Sequence, residues 1–197
     1  MKKINTFIIL LSIMIGVVYG INFIKDGEFT SALSAFVIFP IIIASRVISK
    51  IIKKENIWID TIYIVFVFLA QVLGSVVGLY HSFNGYDKIV HTISGIVTSF
   101  LGIYIIFKFK KFDNNIFNFV FVISISLSVA LLWEVIEFSI DNIFNTDVQW
   151  VIKTGVNDTM TDMICALLGT LMFNLCYIFE QVNNKKLIIT KFINSLK

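Results

Sequence analysis

Residues 116–141 read IFNFVFVISISLSVALLWEVIEFSID. The first seventeen of them, Ile116 to Leu132, have the length and composition of a membrane-crossing helix. The run does not end in a basic flank. It ends in Trp133-Glu134-Val135-Ile136-Glu137-Phe138-Ser139-Ile140-Asp141. A carboxylate at the centre of a bilayer costs about 2.5–3.5 kcal/mol on insertion scales, so acids on such a helix need protein or water around them. Positions 134, 137 and 141 are spaced i, i+3 and i+7, which predicts one polar stripe on an otherwise lipid-facing helix.

The rest of the chain repeats the apolar pattern. Of 197 residues, 57% are hydrophobic, and mean hydropathy is +0.89. A soluble domain of this size does not have that composition. The apolar residues come in blocks long enough to cross about 30 Å of hydrocarbon. Six spans are predicted, near 4–24, 31–48, 58–80, 89–107, 116–138 and 159–179, with a cytoplasmic tail at 180–197. The fold class is all-α, a polytopic helical bundle forming one integral membrane domain over 1–197, because a spanning segment must satisfy its own backbone hydrogen bonds. Lys2-Lys3 before the first block could open a signal peptide, but the apolar run is long and no small-residue cleavage site follows, so a retained span is expected.

The net charge of +3 comes from residues scattered between spans, and no nucleic-acid partner is expected. Thirteen of the sixteen basic residues fall before span one, between spans two and three, between spans four and five, or in the tail. Lys25, Lys88 and Lys153 fall on the other side. The positive-inside rule then places both termini in the cytoplasm of a bacterial inner membrane. The basic Arg46–Glu55 turn is of a kind that touches anionic lipid headgroups. Cys165 and Cys176 are both in span six, about 16 Å apart along a helix, and are read as small apolar residues that cannot pair within the chain.

Three weaker features complete the organisation. Pro40 is predicted to kink span two. Asp60 suits the start of span three, and Gln71, Gly74, Ser75 and Gly78 mark a face for close helix packing. Residues 142–157 mix apolar and polar types and predict a short interfacial or re-entrant segment ended by Gly155.

A second polar stretch, Tyr86-Asp87-Lys88-Ile89-Val90-His91, opens span four, and Asn157-Asp158-Thr159-Met160-Thr161-Asp162 opens span six. His91 and Asp162 each lie about 6 Å along their helices from Asp87 and Asp158. Spans four and six run inward and span five runs outward, so the polar groups meet at matching depths. Asp87, Asp141 and Asp158 form an upper tier. His91, Glu134, Glu137 and Asp162 form a lower one. So many carboxylates cannot all be ionised in a low dielectric without protons or a cation to offset them. Candidate metal ligands are Asp87, His91, Glu134, Glu137, Asp158 and Asp162. An oxygen-rich set with one imidazole suits Mg²⁺, Mn²⁺ or Ca²⁺, and Zn²⁺ if His81 joins. Candidate catalytic residues are His91, Glu134, Glu137 and Asp162, with a metal-activated water attacking a phosphate, ester or amide. The same residues have structural readings too: Asp87 and Asp158 as helix caps, Asp141 as a polar helix end, Lys88 as a partner for Asp87.

These three stretches resemble the YjdF-like family of bacterial inner-membrane proteins and, more distantly, the VanZ-like proteins, named for a glycopeptide-resistance accessory factor. The resemblance covers mainly residues 80–175. VanZ-like proteins tend to carry Glu then Gln, and Asp then Asn, where this chain has Glu134 and Glu137, Asp158 and Asp162. The resemblance implies this topology and a polar site on the last three spans, without a reaction. The leading functional expectation is a metal-dependent hydrolase or transferase acting on a lipid or cell-envelope precursor. The alternatives are an ion- or proton-coupled transporter and a noncatalytic membrane accessory protein.

Overall fold

The computed structural model describes residues 1–51, 55–109 and 115–196. Lys53 and Lys54 of the first basic turn, Lys110, Lys111 and Asp113 of the second, and Lys197 lie outside the described residues. The described residues are helical with short connections. Six helices are long and apolar enough to cross a membrane: α1 (Lys2–Lys25), α2 (Phe29–Ile51), α3 with its continuation (Ile57–Val76), α5 (Tyr86–Phe109), α6 (Asn115–Phe144) and α8 (Asn157–Val182). Short helices α4 (Leu79–Ser82), α7 (Val151–Thr154) and α9 (Ile188–Ser195) lie between or after them. Much of each long helix is apolar and exposed, for example Leu131, Leu132, Val135, Ile136 and Phe138 on α6. Such surface is stable against lipid and not against water. The protein is a multi-pass membrane protein associated with the bilayer.

The residues group into two compact units, 1–87 and 88–197. In the first, α1 and α2 pack as neighbours across the turn at Gly27, whose φ of 79° needs a residue without a Cβ. Their core is Ile9, Ala35, Ile38 and Ile42, joined by Ile64, Val67, Val72 and Val76 from the third span. Helix α2 runs unbroken through Pro40. Helix α3 (Ile57–Val67) is capped by Asn56, whose side chain accepts from the amides of Trp58 and Ile59. Asp60 therefore does not cap the helix. It accepts from Asn5 and Ser45 instead. Past Val67 the winding widens to a π-helix over Phe68–Val76. The expected small-residue face is used there: Gln71 donates to Ser34, and the Tyr80 ring lies where a Cβ on Gly74 would sit. The span ends at Val76, short of Tyr80, because Gly78 at φ 86° breaks the helix and starts α4.

The second unit holds α5, α6 and α8. The unit boundary falls inside the first turn of α5, so that helix is described whole here. Helices α5 and α8 touch backbone to backbone. A Cβ on Gly95 would run into the Ala166 carbonyl, and one on Gly169 into the Thr92 carbonyl. Next to this crossing Thr170 donates to the Ser126 hydroxyl at 2.6 Å, and Thr98 shares a 2.7 Å hydrogen bond with the same hydroxyl. Ser99 donates to the Gly95 carbonyl, and the Thr170 hydroxyl lies 3.2 Å from the same oxygen. Small residues permit the approach, and hydroxyls tie the three helices where hydrocarbon offers no other partner. The tail is not extended. Glu180 accepts from the amides of Ile189 and Thr190 at the start of α9, and Phe192 packs edge-on against Phe100.

Gly95→Ala should destabilise the purified protein by about 1–3 kcal/mol, the usual range for overpacking a tight contact. Leu168→Ala on the exposed face of α8 should change it by less than about 0.5 kcal/mol. Thermal unfolding in detergent reads both, and equal stabilities would contradict the packing described.

Candidate functional site

Helix α6 has 30 residues, so it is about 45 Å long and exceeds the hydrocarbon thickness. Its last turns need not sit in hydrocarbon, which makes acids there tolerable. The three acids do not share one environment. Positions 134 and 141 point within about 20° of each other, while 137 is turned about 60° away. Glu134 is buried at 5% exposure. Glu137 is half-buried, and its Oε1 accepts from the Trp133 indole at 2.8 Å.

Asp141 organises the following loop. Its Oδ1 accepts from the Thr146 hydroxyl and the Val148 amide, and its Oδ2 from the Gln149 amide at 3.0 Å. With its backbone fixed, Gln149 turns its side chain inward. Gln149 Nε2 lies 3.2 Å from the Glu134 carbonyl, 3.4 Å from Glu134 Oε2 and 3.3 Å from Thr159 Oγ1. The loop is thus latched to α6 and to the first turn of α8. It then forms α7, closed by Gly155 as expected, with Val151 and Ile152 exposed. The other oxygen of Glu134, Oε1, is buried without a hydrogen-bond partner. A buried carboxylate oxygen left bare is costly.

Helices α5 and α8 supply the other charges. Lys88 Nζ donates to Asp158 Oδ1 at 2.6 Å and to Asp162 Oδ1 at 2.7 Å. The lysine side chain is 30% exposed and that of Asp162 only 4%. His91, one turn further along α5, has Nε2 3.9 Å from Asp162 Oδ1. Asp87, His91 and Asp162 can each bring one ligand atom within 4.8 Å of the others. This group of a buried aspartate, a histidine and a second aspartate could hold a metal ion. Asp158 is not the cap of α8: Val156 holds that position, and Asp158 faces Lys88 from the first turn. His81 is exposed on α4 and is not one of the three converging residues.

The structure therefore brings Asp87, His91 and Asp162 together, attaches Asp158 to them through Lys88, and places Glu134 under the Gln149 latch and Glu137 beside Trp133. Two contributors lay outside the candidate list. Lys88 precedes His91 by three residues, so helical spacing already put it on the same face. Gln149 carried no signal beyond being a polar residue in an apolar loop.

The family described as predicted membrane protein (DUF2238) matches residues 4–182. The chain belongs to that family. No curated protein and no solved structure matches it. The family match covers all six spans and every residue of the site. Its description is that of a membrane protein and carries neither the YjdF-like nor the VanZ-like name.

Lys88→Met should destabilise the protein by on the order of 3 kcal/mol, since it strands Asp158 and Asp162 without their shared cation. Adding Asp162→Asn to it should recover part of the loss. Denaturant unfolding of the two variants checks this, and additive losses would contradict a shared interaction.

Proposed function

We propose that this is a multi-pass protein of the bacterial cytoplasmic membrane, with both termini inside, that performs metal-assisted hydrolysis or group transfer on a lipid or cell-envelope precursor. The observation that carries the reading is the convergence of Asp87, His91 and Asp162. One imidazole and two carboxylates form a donor set suited to Mg²⁺, Mn²⁺, Ca²⁺ or Zn²⁺. The charges fit as well. Asp158 and Asp162 share one ammonium, Lys88, and Asp87 brings a further carboxylate to the ligand group with Asp162. Bound there, a divalent cation would polarise a phosphoryl or carbonyl oxygen or acidify a water.

The chain's own groups have separate tasks in this reading. Asp162 is a ligand whose orientation is fixed by Lys88, and Asp158 acts through the same lysine. Glu134, with its bare buried oxygen, is the candidate general base, and His91 takes that role only where the carboxylates alone hold the ion. Glu137, held by Trp133, belongs to the outer rim. The deeper polar residues of α5, α6 and α8, such as Thr98, Ser126 and Thr170, are taken up by hydrogen bonds between the helices, which favours an enzyme over an ion-coupled carrier.

The test is turnover of phosphorylated lipids and isoprenoid carriers by purified protein supplied with each cation. The expectation is headgroup or phosphate release by wild type and a loss of at least about 100-fold in His91→Ala, with thermal stability retained. Equal rates in the two proteins, or no turnover of any such substrate, would refute the enzyme reading.

A further inference from the structure

A second polar site lies in the first unit, at the end where α1 begins, α2 ends and α3 begins. A cavity of about 450 Å³ opens there, within the size range of small-molecule sites. Three cations line it: Lys2, Arg46 and Lys50. Two acids line it too, Asp60 and Glu55, so the balance of acceptors and donors decides what fits.

The Asp60 carboxylate is already engaged. Oδ2 accepts from Asn5 Nδ2 at 2.9 Å, and Oδ1 accepts from Ser45 Oγ at 2.7 Å. These two neutral donors, one of them fully buried, hold the acid more closely than its ion pair with Arg46 does. Glu55 is exposed and lies 4.0 Å from Lys2. The donors are in a different state. Arg46 Nε is 3.5 Å from Asp60 Oδ2, and Arg46 Nη2 is 3.5 Å from Thr6 Oγ1, both at the limit of a hydrogen bond. A guanidinium has five N–H donors in a planar fork, and these contacts use them poorly. The Lys50 side chain makes no hydrogen bond or ion pair with another described residue. The buried acid of the pocket, Asp60, is therefore satisfied, Glu55 is turned to solvent, and the cationic donors are poorly used. That is the complement of an oxyanion.

We propose that this pocket binds a phosphate group, with Arg46 as the forked donor and Lys2 and Lys50 as flanking charges. Its place at the ends of three spanning helices puts it at headgroup depth, so an anionic phospholipid is the source the position favours. The site is independent of the metal-centred reading, and neither stands or falls with the other.

The experiment is binding of fluorescent phosphatidylglycerol to the full chain in a maltoside detergent, which carries no phosphate. Wild type is compared with Lys2→Gln/Lys50→Gln, which keeps the Arg46–Asp60 contact, and with Lys185→Gln/Lys186→Gln, which removes the same charge elsewhere. The pocket variant should bind about thirtyfold more weakly, from roughly one surface-charge increment per lysine, and the tail variant should bind like wild type. Arg46→Gln is a second pocket variant expected to weaken binding, with unfolding followed in parallel. Displacement of the lipid by millimolar inorganic phosphate would keep the pocket and make free phosphate its source. Equal affinities of wild type and the Lys2→Gln/Lys50→Gln protein, or equal losses in the pocket and tail variants, would overturn the proposal.

Discussion

The second unit depends on the bridge from Lys88 to Asp158 and Asp162. Two carboxylates on one helix, one of them almost wholly buried, need a positive charge within reach. Lys88 supplies it from the neighbouring helix and fixes the rotation of α8 against α5. The same register brings Gly95 opposite Ala166 and Gly169 opposite Thr92, so the helices can meet backbone to backbone. It also sets His91 beside Asp162. Packing and polar site are two outcomes of one alignment. Removing one member of a buried ion pair costs more than never having it, so the bridge constrains this arrangement strongly.

The first unit answers the same constraint differently. Asp60 is shielded by neutral donors, Asn5 and Ser45, with Arg46 only loosely attached. A carboxylate held by neutral donors leaves nearby cations available, whereas a carboxylate held by a lysine consumes it.

Much of this was legible in the sequence because the physics is local. Length and hydropathy of each block mark the six spans, since crossing hydrocarbon requires both. The helix starts at Asp87 and Asp158 carried the spacing that joins His91 and Asp162. Contacts add what spacing does not carry. The i, i+3, i+7 acids of α6 lie within an arc of about 60°, and inside it Glu137 accepts from the Trp133 indole while Asp141 holds the following loop. Lys88 reads from the sequence as an offset for the adjacent Asp87, and the structure bonds it to Asp158 and Asp162 on α8, partners that spacing along one helix does not announce. Gln149 and the loop latch were not legible at all. They depend on Asp141 folding residues 146–149 around its carboxylate, a contact that no periodicity announces. Asn56 in place of Asp60 as the cap of α3 is a smaller case of competing local candidates.

The central claim is the proposal that Asp87, His91 and Asp162 hold a divalent cation. Thermal stability of the purified protein across Mg²⁺, Mn²⁺, Ca²⁺ and Zn²⁺, beside the His91→Ala/Asp162→Asn variant, tests it most directly. At a hundredfold excess over its dissociation constant, a bound ion should stabilise wild type by about 2.7 kcal/mol and leave the variant unchanged. If no cation moves wild type, or if one moves both proteins equally, the acids are balanced by protons and helix packing alone, and the metal-centred account is wrong.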